Sequence, residues 1–259
     1  MIKFSANLGL LWSELPLLDR IYKAKDKNFD AIEFQFPYEV DANELKKAID
    51  NINLPIIGIN TIKGDVSKGD NGLNAIPFKV QEARVAIDQA IEYAKVIGSK
   101  NIHFMCGITE QNNNSLKTLV ENLQYAVSQL NNTNIGLVIE PKNQRDFPGY
   151  FLTNVEQAKE ICQLVGDKNV KIMFDFYHVQ ISQGNVLTRF KDNFNFIGHV
   201  QMASVPERNE PIFGELNYSN ILSEIYKFGY QGYVGAEYNP LTKTDDGLLW
   251  MKEINREDK

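Results

Sequence analysis

Residues 170–201 read VKIMFDFYHVQISQGNVLTRFKDNFNFIGHVQ. The first six, Val170 to Asp175, are mostly apolar and end on a carboxylate. The last six, Phe196 to Gln201, repeat that form and end on an amide. Near-continuous apolar runs of this length mark strands covered on both faces, as in parallel sheets. Between them the patterning is weak, and only a short helix around 181–194 is predicted.

The same unit recurs outward in both directions. Strands are predicted at 2–6 (IKFSA), 30–35 (DAIEFQ), 55–60 (PIIGIN), 101–105 (NIHFM), 135–140 (IGLVIE) and 232–237 (GYVGAE), which with the two above makes eight. Helical periodicity lies between them. Leu15, Leu18, Ile21, Tyr22 and Ala24 precede a stop at 26–28. Residues 78–98 carry Val80, Ala83, Ile87, Ala90, Ile91 and Ala94 before Gly98, and 115–130 carry Leu116, Leu119, Leu123, Ala126, Val127 and Leu130. Thr153 with Glu156 reads as a capping box. Helices over 217–228 and 242–252 close the chain. Eight βα units in 259 residues predict an α/β fold, a single (β/α)8 TIM barrel domain over 1–259 with its active site at the C-terminal ends of the strands. A doubly wound sheet is the alternative, but no GxGxxG follows an early strand. The Gly-, Asn- and Asp-rich stretch 61–77 would be a long functional or mobile loop at the barrel mouth.

Composition narrows the function. Hydrophobic residues make up 43% and charged residues 23%, values of an ordinary folded domain. The 27 basic against 33 acidic residues leave a net charge of -6, the wrong sign for a nucleic-acid binder. No apolar run reaches a membrane span and no signal peptide is evident, so a cytoplasmic protein with no membrane partner is expected. Cys106 and Cys162, the two cysteines, form neither a disulfide framework nor a metal-like spacing.

Barrel chemistry sits where the strands end. Four successive predicted strands end on oxygen-bearing side chains: Glu140, Asp175, Gln201 and Glu237. Three carboxylates brought together resist ionising unless a cation sits among them. Three such groups plus an amide carbonyl suit a hard divalent ion, Mg2+ or Mn2+. Singly, each could instead cap nearby backbone. His178 falls three residues past Asp175, on the loop leaving strand six, where it either donates to a substrate oxygen or bonds to the main chain. Arg208 follows strand seven, either to fork a carboxylate or as an exposed loop arginine. Glu33 either helps the rim or pairs with a cation. His103 and His199 read as structural, and Cys106 as a weak nucleophile candidate.

The sequence resembles the hydroxypyruvate isomerase family of xylose-isomerase-like barrels, nearly end to end. The resemblance rests on F-S-A-N-L (Phe4 to Leu8), E-F-x-F-P-Y (Glu33 to Tyr38), G-D-x-x-x-G (Gly64 to Gly69), I-E-P-x-N (Ile139 to Asn143), D-F-Y-H (Asp175 to His178), G-H-V-Q (Gly198 to Gln201), R-x-E-P-x-x-G-E (Arg208 to Glu215) and G-A-E-Y-x-P (Gly235 to Pro240). It implies a divalent metal held by Glu140, Asp175, Gln201 and Glu237. It implies proton transfer by Glu140 and Glu237, and substrate binding by His178 and Arg208. Gln201 stands where the sugar epimerases of the superfamily typically carry His. Where family members often read N-L-P-A-G-D-W, this chain has Asn60 to Val66 as N-T-I-K-G-D-V.

The implied reaction interconverts hydroxypyruvate and tartronate semialdehyde by a 1,2 proton shift through an enediol(ate), with no redox cofactor. A related 2-oxo sugar acid isomerase (2-oxo-tetronate) and a ketose 3-epimerase are the alternatives within the superfamily. An endonuclease-like barrel would need many His ligands, but the chain has three. The carboxylate set argues against a non-enzymatic carbohydrate-binding barrel. The expected partner is a small-molecule 2-oxo acid or sugar substrate, and a homo-oligomer is left open.

Overall fold

The computed structural model describes residues 2–254. Eight parallel strands run β1 (Lys3–Asn7), β2 (Ala31–Glu33), β3 (Gly58–Asn60), β4 (Asn101–His103), β5 (Gly136–Ile139), β6 (Val170–Asp175), β7 (Ile197–Met202) and β8 (Tyr233–Ala236). They pair in the order β2-β1-β8-β7-β6-β5-β4-β3. A parallel bridge from Ile32 to Ile56 closes the ring. It is supported by the Ile57 N–H donating to the Ile32 carbonyl at 2.8 Å and the Phe34 N–H to Gly58 at 2.9 Å. The predicted barrel is the observed one. Most strand residues are buried on both faces, which explains the unbroken apolar runs.

The outer ring contains α1 (Leu17–Asp26), α2 (Ala42–Ile52), α3 (Val80–Ile97), α4 (Asn113–Gln129), α5 (Val155–Val165), α6 (Phe176–Ser182), α7 (Val186–Asn193), α8 (Tyr218–Lys227), α9 (Thr244–Gly247) and α10 (Trp250–Ile254). The α3 helix shows why the sequence folds this way. Ala83, Ala86, Ile87, Ala90, Ile91, Ala94 and Ile97 are its buried residues, at helical spacing. The small alanines let it lie close to the sheet, and Gly98 ends it in the left-handed conformation at φ 75°. Truncating fully buried Ile87 to Ala would cost about 2–5 kcal/mol.

Three local expectations are corrected. The α5 helix is capped by Asn154, not Thr153. The Asn154 side chain accepts the Gln157 N–H at 2.8 Å, while Gln157 reaches back to the Thr153 N–H at 3.0 Å. The capping box is therefore shifted by one residue, because Val155 begins the buried face. The predicted 242–252 helix is split into α9 and α10, and Trp250 packs edge-on against Phe4 at 4.9 Å between ring centroids. Residues 176–182 are helical, because Asp175 caps them by accepting the Tyr177 N–H at 2.9 Å. His178 thus sits on α6 and not on a loop.

The 61–77 stretch is tied to the barrel wall. Asn74 donates to the Met105 carbonyl at 3.0 Å, and Asp70 pairs with Lys79 at 2.6 Å. Gly72 bridges Cys106 at a φ of 114°, and a Cβ there would lie 2.5 Å from the Met105 carbonyl oxygen. Only glycine admits this approach. No described helix is long and apolar enough to cross a membrane.

Candidate active site

Strands β5 to β8 deliver side chains at or beside their C-terminal ends to one rim. Glu140 follows β5, Asp175 ends β6, and Gln201 lies opposite Asp175 in the β6–β7 register. Glu237 follows β8, and its N–H donates to Met202 of β7 at 3.2 Å. All four are buried. Asp175 uses Oδ1 to cap α6 and leaves Oδ2 without a hydrogen-bond partner. Glu140 Oε1 and Gln201 Oε1 are also buried without one. Buried polar atoms are normally satisfied, so three orphaned oxygens at neighbouring strand ends call for a ligand. Two carboxylate oxygens and an amide oxygen fit a hard divalent cation. Atoms of Glu140, Asp175 and His178 lie within 4.8 Å of one another.

Glu237 differs from the other three. Its Oε1 accepts from Asn7 Nδ2 at 3.0 Å and Gln35 Nε2 at 2.9 Å, and its Oε2 from Arg208 at 2.8 Å. The Arg208 guanidinium also lies 3.9 Å from Asp175 Oδ2 and 5.1 Å from the Tyr177 ring centroid. Arg208 is not an exposed loop arginine. Its backbone is left-handed at φ 57°. Its N–H donates to Ser204 at 2.9 Å, and its carbonyl accepts from Asn239 at 2.8 Å. A non-glycine residue held there costs roughly 1–3 kcal/mol, a strain typical of functional sites.

Electrostatics follow from the crowding. Burial pushes Asp175 well above the usual carboxylate range; Arg208 opposes the rise, and the Glu237 and Glu140 carboxylates add to it. Burial also raises Glu237, against Arg208 and with Glu140. His178 is held well below its ordinary value by burial and by Arg208, Lys142 and other cations.

A layer beneath holds these groups. Glu33 accepts from Gln201 Nε2 at 2.7 Å, which turns Gln201 Oε1 toward the rim. It also pairs with His199 Nε2 at 3.1 Å and accepts from the Ser5 hydroxyl. Burial alone would raise Glu33, but His199 and these hydrogen bonds bring it below the usual range. Gly235 makes the space, since a Cβ there would lie 2.4 Å from Glu33 Oε1. His199 thus supports Glu33, and His103 Nε2 stands 3.5 Å from Glu140 Oε2. Burial drives the Cys106 thiol up to about 12, which removes it as a nucleophile.

Four site residues escape a search for acids at strand ends. Lys142 is buried with its ammonium 3.3 Å from Glu140 Oε2 and 4.6 Å from the Phe147 ring centroid. Asn7 and Gln35 orient Glu237, and Asn143 contacts His178 Nδ1 at 2.7 Å. Asn7 is the last residue of β1, one past the predicted strand 2–6, so the strand-end rule finds it only when that strand is drawn one residue longer. A cleft of about 480 Å³, joined to the cluster through Arg208, is lined by Arg145, Asp146, Tyr177, Pro206, Glu207, Arg208 and Asn239.

A (β/α)8 barrel with a buried carboxylate cluster at its C-terminal rim has the layout of a barrel enzyme. The model of the xylose isomerase-like TIM barrel family matches residues 21–254. The 2-oxo-tetronate isomerase of Cupriavidus necator is 40% identical over 255 residues, covering 97% of this chain and 98% of the relative. The hydroxypyruvate isomerase of Escherichia coli is 40% identical over 257 residues, covering 97% and 98%. A crystal structure from Brucella melitensis, described as an AP endonuclease of family 2, superposes with a TM-score of 0.94 at 37% identity and covers both chains fully. The chain belongs to the xylose isomerase-like TIM barrel family, in the branch that holds the hydroxypyruvate and 2-oxo-tetronate isomerases, and it is an isomerase.

Proposed function

We propose that this chain interconverts hydroxypyruvate and tartronate semialdehyde, aided by Mg2+ or Mn2+. The observation that carries the reading is the set of partnerless buried oxygens on Glu140, Asp175 and Gln201, with Glu237 beside them on the same rim. These four residues would hold the ion, which supplies Lewis-acid polarisation of the substrate's carbonyl and hydroxyl oxygens.

The chain's own groups do the rest. Arg208 forks the substrate carboxylate. His178 donates to a substrate oxygen. One glutamate of the Glu140/Glu237 pair takes a proton from C3, and a carboxyl group returns one to C2. The hydroxyl proton on O3 leaves and O2 gains one, so the net change is a shift of two hydrogens with no redox cofactor. Asn7 and Gln35 hold Glu237 in place, and Lys142 fixes one oxygen of Glu140.

A second reading, isomerisation of 2-oxo-tetronate, is favoured by the cleft of about 480 Å³ beside Arg208 and by the Cupriavidus relative. A nuclease reading, suggested by the description of the Brucella protein, is disfavoured by three histidines and a net charge of -6. The test is a substrate panel with metal-loaded protein: hydroxypyruvate, 2-oxo-tetronate, fructose and tagatose. Turnover of hydroxypyruvate above the others, abolished by chelation and restored by Mg2+ or Mn2+, is expected. Preference for 2-oxo-tetronate selects the second reading. Full activity after exhaustive metal removal overturns the metal-assisted reaction.

A further inference from the structure

His178 stands where two incompatible uses meet. Its Nε2 lies 3.6 Å from Glu140 Oε1 and 3.8 Å from Asp175 Oδ2, inside a set able to hold a cation. A ring nitrogen that binds a metal needs its lone pair, whereas one that donates to a substrate oxygen needs its proton. The bond made by the other ring nitrogen decides between them.

That bond is made by Asn143. Its side-chain nitrogen lies 2.7 Å from His178 Nδ1, and its main-chain N–H points at the same atom from 3.4 Å. Which end of the amide faces the ring follows from its other bonds. Asn143 Oδ1 accepts the main-chain N–H of Asp146 at 2.8 Å, a bond that requires oxygen at that end. Asn143 Nδ2 donates to Asp146 Oδ2 at 3.0 Å, which requires nitrogen at the other. Asp146 is itself anchored, by the Tyr177 hydroxyl at 2.5 Å and by Arg145 at 3.1 Å. Two N–H donors therefore converge on Nδ1, which must carry the lone pair. With two donors excluding a proton from Nδ1, the ring proton is left on Nε2. Both side chains are fully buried, so solvent does not compete for the bond.

We propose that Asn143 is a positioning residue that locks His178 as the Nε2–H tautomer, making it a hydrogen-bond donor to a substrate oxygen and barring it from the ligand shell of the metal. The substrate's identity rests on the isomerase reading above; the tautomer does not. Asn143 acts through His178 and need not touch the substrate.

The test is 15N NMR of histidine-labelled protein near neutral pH, with and without Mg2+, with His178→Gln to assign the ring. Nδ1 is expected unprotonated and Nε2 protonated in both states. A lone pair on Nε2, or a doubly protonated ring, in the unmutated protein overturns the proposal. Asn143→Asp replaces the donor by an acceptor and is expected to place a proton on Nδ1. It should lower kcat/KM by roughly 10- to 100-fold, the usual loss for a group that orients a metal-site side chain. The same change should strengthen Zn2+ relative to Mg2+ in a metal titration, because an imidazole lone pair becomes available. An unchanged tautomer in Asn143→Asp, or a switched tautomer with unchanged kcat/KM, also overturns it. Should Asn143→Asp fail to fold, the spectra of the unmutated protein decide alone. If the tautomer is as assigned but neither hydroxypyruvate nor 2-oxo-tetronate turns over, the isomerase reading fails and the assignment stands.

Discussion

Glu140, Asp175, Gln201 and Glu237 stand at or beside the C-terminal ends of β5 to β8, while β1 and β2 end in Asn7 and Glu33. The two halves of the barrel treat their polar atoms in opposite ways. In the first, Glu140 Oε1, Asp175 Oδ2 and Gln201 Oε1 have no partner. In the second, Glu33 pairs with Ser5, His199 and Gln201, and Asn7 donates to Glu237 while accepting from the Gly9 N–H at 3.1 Å. Each unpaired buried atom costs about 1–3 kcal/mol, so the open half is destabilised and the closed half holds it in shape. Groups proposed to react need to be unsatisfied and still fixed, and two sets of strands meet those two demands. Glu237 is the exception that joins them, an open-half residue gripped by Asn7 and Gln35 from the other side.

The largest effect should come from the open half. Glu140→Gln and Glu237→Gln keep an oxygen at the rim but remove the carboxyl proposed to carry the proton. Each should lower kcat by roughly 10²- to 10⁴-fold at saturating Mg2+, measured as steady-state turnover of hydroxypyruvate. Gln201→Ala should behave differently, since an amide is no base, and excess metal should recover much of its rate. If both Gln variants recover with added metal as Gln201→Ala does, these glutamates are ligands only and the base lies elsewhere.

The next effect tests whether the closed half supports the open one. Glu33→Gln keeps the shape but removes the charge that orients Gln201 and pairs with His199. Metal affinity should fall by roughly 10- to 100-fold, read by titration calorimetry with Mn2+, while the thermal unfolding curve stays cooperative. Unchanged affinity would mean that Gln201 is positioned without Glu33. Smaller again are Asn7→Ala and Gln35→Ala, each removing one of two donors to Glu237 Oε1. Each should cost about tenfold in kcat, the equivalent of roughly 1.4 kcal/mol, and the double variant should lose more than the product because the remaining donor compensates in each single one.

The same division explains what was legible in the sequence. The outer faces of the strands and the inner faces of the helices obey simple periodicities, so eight strands were found, as was the α3 stripe from Ala83 to Ile97. The four rim residues were found because a carboxylate or amide ending an apolar run breaks the pattern. His178 was found, but on the wrong element, because D-F-Y-H carries no helical stripe and its helix depends on Asp175 capping the Tyr177 N–H. Glu33, Asn7, Gln35 and Lys142 act through tertiary contacts spanning from 2 residues for Lys142 with Glu140 to 230 for Asn7 with Glu237. Nothing in the local sequence distinguishes a buried Lys142 from a surface lysine, because what surrounds its ammonium is the Phe147 and Tyr150 rings and the Glu140 carboxylate, brought there by the fold.

The smallest effect on turnover should come from Ser5→Ala, deep in the closed half, where stability and pH are the better readouts. The Ser5 hydroxyl donates to buried Glu33 and is one of the causes that hold its carboxyl below the usual range. A carboxyl depressed in the folded state contributes stability that is fully present above its unfolded value of about 4.3 and is lost as the pH falls through the folded value. Removing the hydroxyl moves the folded value back up and shrinks that contribution. A hydrogen bond to a charged group is worth roughly 1.5–3 kcal/mol, so urea unfolding at neutral pH should show a loss of that order. The gap between the two proteins should then close as the pH falls through the folded value of Glu33, because a protonated carboxyl no longer needs the donor. Turnover should change little, since His199 and Gln201 still hold Glu33. A gap that stays constant into acid would assign the loss to packing around Ser5 and not to the Glu33 charge. A large drop in turnover would mean that the layer beneath the rim is less redundant than its three contacts to Glu33 imply.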